Sequence, residues 1–184
     1  EWTDLEAYAG AYHISRLTLI YPSLLLAVTY VIMLSCLHRV VAEEKKVWSL
    51  APLSIGIIYA VMAGINYNIQ AVAVRLSLAA GETGGIAMFI PDNPHSVFTA
   101  LANSYVYMGI SMFLAAFVFG RGRLEGWIRG LLLIQAVSAA GQAGYSMFDW
   151  PEALFIGTSM VWVAGAPAAF ILMGFWFRKK RGEI

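Results

Sequence analysis

The sequence predicts an all-α polytopic membrane protein: a bundle of five transmembrane helices, N-terminus outside and C-terminus cytoplasmic. Three observations predict it. Only 12% of the 184 residues are charged and 60% are hydrophobic, whereas a water-soluble domain carries about 25% charged residues. Five stretches reach the roughly 20 predominantly apolar residues that a spanning helix needs. Basic residues collect in alternate connections between those stretches.

The spans are expected at about 14–37, 47–79, 96–119, 127–148 and 153–177. Backbone groups in lipid need internal partners, so these segments are read as helices. A barrel would require short alternating strands, and the sequence has none. The second stretch is long enough to tilt or to project beyond the bilayer. No linker or internal repeat divides the chain, so 1–184 reads as a single transmembrane domain with an outer interfacial segment at 1–13.

Charge sets the orientation. Arg39, Lys45 and Lys46 follow the first span; Arg121, Arg123 and Arg129 lie between the third and fourth; Arg178, Lys179, Lys180 and Arg181 follow the fifth. That puts ten of the twelve Lys and Arg on one side, which is cytoplasmic by the positive-inside rule. Only Arg16 and Arg75 lie on the other, with Asp4, Glu82, Asp92, Asp149 and Glu152 among its acids. An outside N-terminus calls for an export signal or an earlier helix. In "EWTDLEAYAGAYHISR", Trp2, Leu5, Ala9, Tyr12 and Arg16 share one helical face. That face reads as an interfacial helix with an aromatic anchor, or as the re-entry from an earlier span.

Near-zero net charge (+1) gives no pull toward nucleic acid, and a lone Cys36 excludes an intramolecular disulfide and any CxxC site. No zinc-protease, nucleophile-elbow, Walker or dinucleotide motif occurs, so no cofactor is expected and no catalytic residue is assigned.

The informative residues are the polar ones inside the spans. Polar side chains at membrane depth are expensive and commonly mark a function. At 100° per residue, Tyr59, Asn66, Gln70 and Ser77 fall on one face of the second span, with Asn68 and Arg75 opposite. The third span aligns His95, Thr99, Asn103 and Tyr107. The fourth carries Gln135, Ser138, Gln142, Tyr145, Ser146 and Asp149 within one arc, with Gly141 and Gly144 on its other side for close helix approach. The fifth offers Glu152, Ser159 and Trp162, and Pro167 is expected to kink or loosen it. These residues cluster in the outer halves of the spans. The arrangement they suggest is an outward-facing polar pocket with Asn66, Gln70, Thr99, Asn103, Gln142, Tyr145 and Trp162 as ligand-binding residues. The competing reading is interhelical glue, worth about 0.6 kcal/mol per bond on average. Arg75, Asp92, His95 and Asp149 are assigned to the outer loop or to ion pairs. Arg75 is expected to meet an outer carboxylate, the Gly-rich loop or headgroups. Changing Gln70 to Leu is expected to weaken ligand binding and leave the fold intact.

The outer loop, "AAGETGGIAMFIPDNPHS" (79–96), contains helix-breaking glycines and turn chemistry. Capping of the third helix by Asn93 or Asp92 is preferred to a metal site at Asp92 and His95, which would need further ligands.

The run "NYNIQAVAVRLSLAAGETGG…IPDNPHSVFTALANSYVYMGISMFLAAFVF" (66–119), followed by "RLEGWIRGLL", resembles a group of uncharacterised prokaryotic multi-span membrane proteins. They share an N-Y-x-x-Q-x-x-x-x-R helix, a Gly-rich loop and an N-P-H-S helix start. The resemblance covers about a third of the chain. It implies an additional N-terminal helix and a joint role for Asn66, Gln70, Arg75, Asn93 and His95, but no activity.

Three functions follow as expectations. The first is a protein of the prokaryotic plasma membrane that binds or translocates a small amphipathic molecule or lipid. The second is a structural or accessory subunit of a membrane complex. The third is an intramembrane enzyme acting on lipid at the outer leaflet. Membrane lipids, a second copy or a partner subunit are the expected partners.

Overall fold

The computed structural model describes residues 3–90, 93 and 95–181. The chain is all-α, 85% helical, with no strand among the described residues. The helices are α1 (Leu5–Ala11), α2 (Leu17–Val40), α3 (Lys46–Asn68), α4 (Arg75–Ala79), α5 (Val97–Ala102), α6 (Ser104–Ala116), α7 (Arg123–Phe148) and α8 (Glu152–Arg181). A π-helical turn, Ile69–Val74, joins α3 to α4 without a break.

Three helical stretches are long and apolar enough to cross a membrane: Ile14–Val40, Glu43–Ala79 and Glu152–Arg181. The 37 residues of the second extend about 55 Å at 1.5 Å per residue, well beyond a hydrocarbon core of about 30 Å. Protein covers only 22–28% of the most apolar window of each. Leu19, Val47 and Val163 are more than 70% exposed. Water would not tolerate so much bare aliphatic surface, whereas lipid solvates it at no cost.

Two expected spans take a different form. The third, 96–119, is two helices, α5 and α6, broken at Asn103. An Asn side chain competes with the helical ladder for backbone partners, which suits it to such a break. α6 alone rises about 20 Å, short of the hydrocarbon core. The fourth, α7, is about 39 Å long but carries Arg123, Glu125, Arg129, Gln135 and Gln142, so it is less apolar than the other three. α8 runs without interruption through Pro167.

Contacts divide the chain into two compact units, each described by itself. Unit one is Glu1–Thr29 with Ala60–Ser104, and unit two is Tyr30–Tyr59 with Tyr105–Ile184. α2 and α3 contribute to both.

Unit two is held by aromatic contacts and close helix approaches. Tyr59 meets Tyr30 edge-on at 5.6 Å and Tyr105 at 5.7 Å; Tyr105 meets Trp162 at 5.6 Å. These rings link α2, α3, α6 and α8. Tyr30 donates to Ser111 Oγ (2.8 Å), which donates to the Pro52 carbonyl (2.7 Å). α7 and α8 form a hairpin. Asp149 ends α7 in the left-handed conformation (φ 54°), and the Trp150 N–H returns to the Gly144 carbonyl at 3.2 Å. A short polar side chain tolerates that conformation better than most.

The hairpin corrects the expected division of α7 into a polar face and a small face. Gln135 Nε2 donates to the Val161 carbonyl (3.2 Å), and Ser138 Oγ donates to the Thr158 carbonyl. Gly141 lies against the same Thr158, and Gly144 against Trp150. Gly141 and Gly144 therefore share a face with Gln135 and Ser138. The reason is reach: a short hydroxyl can meet a carbonyl on the next helix only where the backbones approach closely, and small residues permit that approach.

Candidate functional site

In unit one, several aromatic and polar side chains surround a cavity of about 280 Å³. Its wall starts at the N-terminus. Asp4 caps α1 by accepting the Ala7 N–H at 2.8 Å, which sets the register that buries Tyr8. Tyr8 packs in a small core with Val74, Ile86 and Ile90. Beyond α1, the His13 ring accepts the Ser15 N–H at 3.2 Å and caps a turn that leads into α2. That turn brings back Arg16, whose guanidinium sits 4.8 Å from the centre of the Tyr8 ring and donates to its hydroxyl at 3.3 Å. Leu19, Ile20 and Ser23 follow on α2 as the next lining positions.

The opposite wall comes from the end of α3 and from α5. Tyr67 meets Phe98 edge-on at 6.5 Å, and Gln70 lies beside them. Tyr12 completes the lining, and its hydroxyl is buried without a hydrogen-bond partner. Burying a hydroxyl without a bond costs free energy, and such groups are uncommon in folded proteins.

Gln70 keeps the phase of α3, and the π turn shifts the phase of the residues that follow. Buried positions along α3 run Tyr59, Ala63, Asn66, Gln70 in helical steps, then restart at Ala71 and Val74. The restart one residue later marks the extra residue that a π turn inserts, and such turns recur at functional sites. A uniform wheel is out of phase past this point. Gln70 Nε2 donates to the Phe89 carbonyl, in the turn that follows Gly85 (φ 79°). Asn93 clamps the same turn from the other end: its Nδ2 donates to the Ala87 carbonyl at 2.9 Å, and its Oδ1 accepts the His95 N–H at 3.0 Å. This is an Asx turn ahead of α5, which starts only at Val97, and not the helix cap expected of Asn93.

The other expected site residues are placed as follows. Asn66 is buried. Arg75 Nε donates to the Ala71 carbonyl at 2.9 Å, one turn back on its own helix. Asn68 is exposed and donates to the Gly64 carbonyl at 2.8 Å. Asn103 lies at the break between α5 and α6, and Gln142 is half-buried on α7. Tyr145 is exposed and stacks on Phe155 at 4.9 Å. Trp162 packs on Tyr105. His95 and Asp149 are exposed. Asp92 and the Thr99 side chain lie outside the described residues. Among the described residues no three His, Cys, Asp or Glu side chains come together as metal ligands.

Among the described side chains of the expected ligand-binding set, Gln70 alone lines this cavity. The N-terminal contribution was partly legible: Tyr12 and Arg16 were already on one predicted face, and Tyr8 sits one turn before Tyr12. Reading that face as an anchor to the bilayer, rather than as a wall, hid the site.

Comparison with family models, curated proteins and solved structures finds no match to this chain.

Proposed function

We propose that the chain is an integral membrane protein that binds a small amphipathic molecule in the cavity of unit one, on the outer side of a prokaryotic plasma membrane. The observation that carries this reading is the composition of the cavity wall. Aromatic and aliphatic side chains surround a few polar ones, Arg16, Ser23 and Gln70 among them. Ligand pockets are built in this way, and about 280 Å³ lies near the lower end of their usual size of about 300–1,000 Å³. The resemblance of 66–119 supports a joint role for the polar residues of this region. Gln70 and Asn93 latch the same loop turn, while Arg75 bonds within the π turn.

Ser23→Leu tests the reading. Ser23 bonds only its own helix, Oγ to the Leu19 carbonyl at 2.8 Å, so a leucine there fills the cavity and spares the helix. Mass spectrometry of small molecules retained through detergent purification should find a species in the wild type that Ser23→Leu has lost. Identical extracts from the two would sink the proposal.

The outer placement rests on the charge asymmetry and on five passes, with α5–α6 and α7 joining the three long apolar helices. In a Cys36→Ser background, Thr83→Cys should react with a membrane-impermeant maleimide on intact cells, and Gly122→Cys only after lysis. The reverse pattern would invert the topology.

A further inference from the structure

We propose that the groove between α6 and α7 holds one acyl chain of an anionic phospholipid of the cytoplasmic leaflet, with the lipid phosphate paired to Arg129. The site belongs wholly to unit two. It rests on the five-pass reading, which places α6 and α7 in lipid with Arg129 at the cytoplasmic end.

Gly109 on α6 lies against Ala139 on α7, and Phe117, just past the end of α6, meets Arg129. The two helices therefore run antiparallel. Along their seam lies a groove of about 330 Å³. Gly109, Ile110 and Phe113 line one side and Leu133, Val137 and Ala140 the other; none of the described lining residues is charged. Ile110, Phe113 and Val137 are exposed, so the groove faces outward.

One turn beyond Leu133, the Arg129 guanidinium sits 5.6 Å from the centre of the Phe117 ring. Among the described residues, no carboxylate or carbonyl takes its N–H groups. A guanidinium stacked on a ring still presents its N–H edges, a fork that matches a phosphate by two bonds. Lys45 donates to the Val118 carbonyl and brings a second positive charge to the same end. Trp48, itself exposed, packs on Phe117 at 5.8 Å. Tryptophan gathers at the headgroup level, which makes this the headgroup end of the groove.

Length and charge select the occupant. From Arg129 to Ala140, α7 rises about 16 Å, close to half of a hydrocarbon core of about 30 Å. The groove is as long as one leaflet is deep. Anionic lipids give the cytoplasmic leaflet its negative surface, and their headgroups complement Arg129 and Lys45. Phosphatidylcholine would bring a cation of its own beside Arg129. A helix from a second copy would cover the groove and leave Arg129 without an anion.

Native mass spectrometry tests the site, after release of the protein from nanodiscs of equal phosphatidylcholine and phosphatidylglycerol. One phosphatidylglycerol per chain should be retained, favoured over phosphatidylcholine about tenfold or more, the effect of one charge-assisted hydrogen bond. Arg129→Gln should erase the preference. Arg129→Lys, which keeps the charge and loses the fork, should keep part of it. Lys179→Gln, in the basic tail, should keep all of it. Ala140→Phe fills the deep end of the groove from an exposed position and should lower retention of both lipids.

Equal retention of the two lipids, a preference that survives Arg129→Gln or is lost in Lys179→Gln, or adducts untouched by Ala140→Phe would overturn the site. So would a lipid-free dimer that Ala140→Phe breaks, since the groove would then hold a second copy. A spin label at Val137→Cys, in a Cys36→Ser background, separates these failures from that of the five-pass reading. Relaxation by oxygen leaves the five passes standing, and relaxation by a water-soluble nickel chelate overturns them together with the site.

Discussion

Gly109→Ala is expected to lower the stability of the helix bundle by about 1–3 kcal/mol, the cost of overpacking a tight contact. A Cβ at position 109 on α6 would lie 2.3 Å from the Cβ of Ala139 on α7 and 3.7 Å from the Ala136 backbone. Both clashing carbons are fixed by their backbones, so no rotamer relieves the contact and the two helices must separate. Met108 and Met112, neighbours of Gly109 on α6, are fully buried and would move with it. Replacing glycine by alanine inside a helix normally gains up to about 1 kcal/mol, so the sign of the effect is itself the test. Gly64 on α3 has nothing within 4 Å of its ideal Cβ, and Gly64→Ala should be neutral or stabilising. Thermal midpoints in detergent should rank Gly109→Ala below the wild type. The double variant Gly109→Ala/Ala139→Gly should recover most of the loss. A Gly109→Ala protein as stable as Gly64→Ala would show that α6 and α7 do not pack this closely.

Gln70→Leu should loosen the outer loop as well as weaken the site. Leucine keeps the bulk and loses the donor, leaving the part-buried turn at Phe89 without its side-chain bond. Losing one such bond costs about 0.5–1.5 kcal/mol. The cost is local, because the same turn carries Ile86 and Ile90 into the small core with Tyr8 and Val74. Hydrogen–deuterium exchange should quicken across 84–96 and in α1, while peptides from α7 and α8 exchange as in the wild type. Unchanged exchange in the loop would mean that the latch contributes nothing. The sequence had suggested a binding defect with the fold intact. The bond to Phe89 adds the structural cost.

Helix content and the apolar character of the long segments were legible because lipid imposes them residue by residue. A stretch such as "SLLLAVTYVIML" has one stable conformation in a bilayer, whatever its neighbours do. The polar residues were legible as exceptional, but not as partners. Gln135 and Ser138 read as members of a pocket ladder and are bonded to carbonyls of α8. Arg75 read as a reach toward the surface, and its Nε bonds the Ala71 carbonyl one turn back. A hydrogen bond to a backbone carbonyl leaves no trace in the composition of the segment that supplies the carbonyl.

Composition and hydrophobic run length were enough for an all-α chain with apolar helices long enough to cross a membrane. Both depend on the local balance between backbone hydrogen bonding and solvent, and that balance is set segment by segment. Three features came only with the tertiary structure: the π turn at 69–74, the break at Asn103, and the return of α1 to wall a cavity with Tyr8, Tyr12 and Arg16. Each is a small departure from regular geometry, of the order of one residue. At the π turn and α1, the core of Tyr8, Val74, Ile86 and Ile90 offsets the cost. A helical wheel assumes a constant phase, so it fails at the residue where that phase changes. Here that residue borders the cavity.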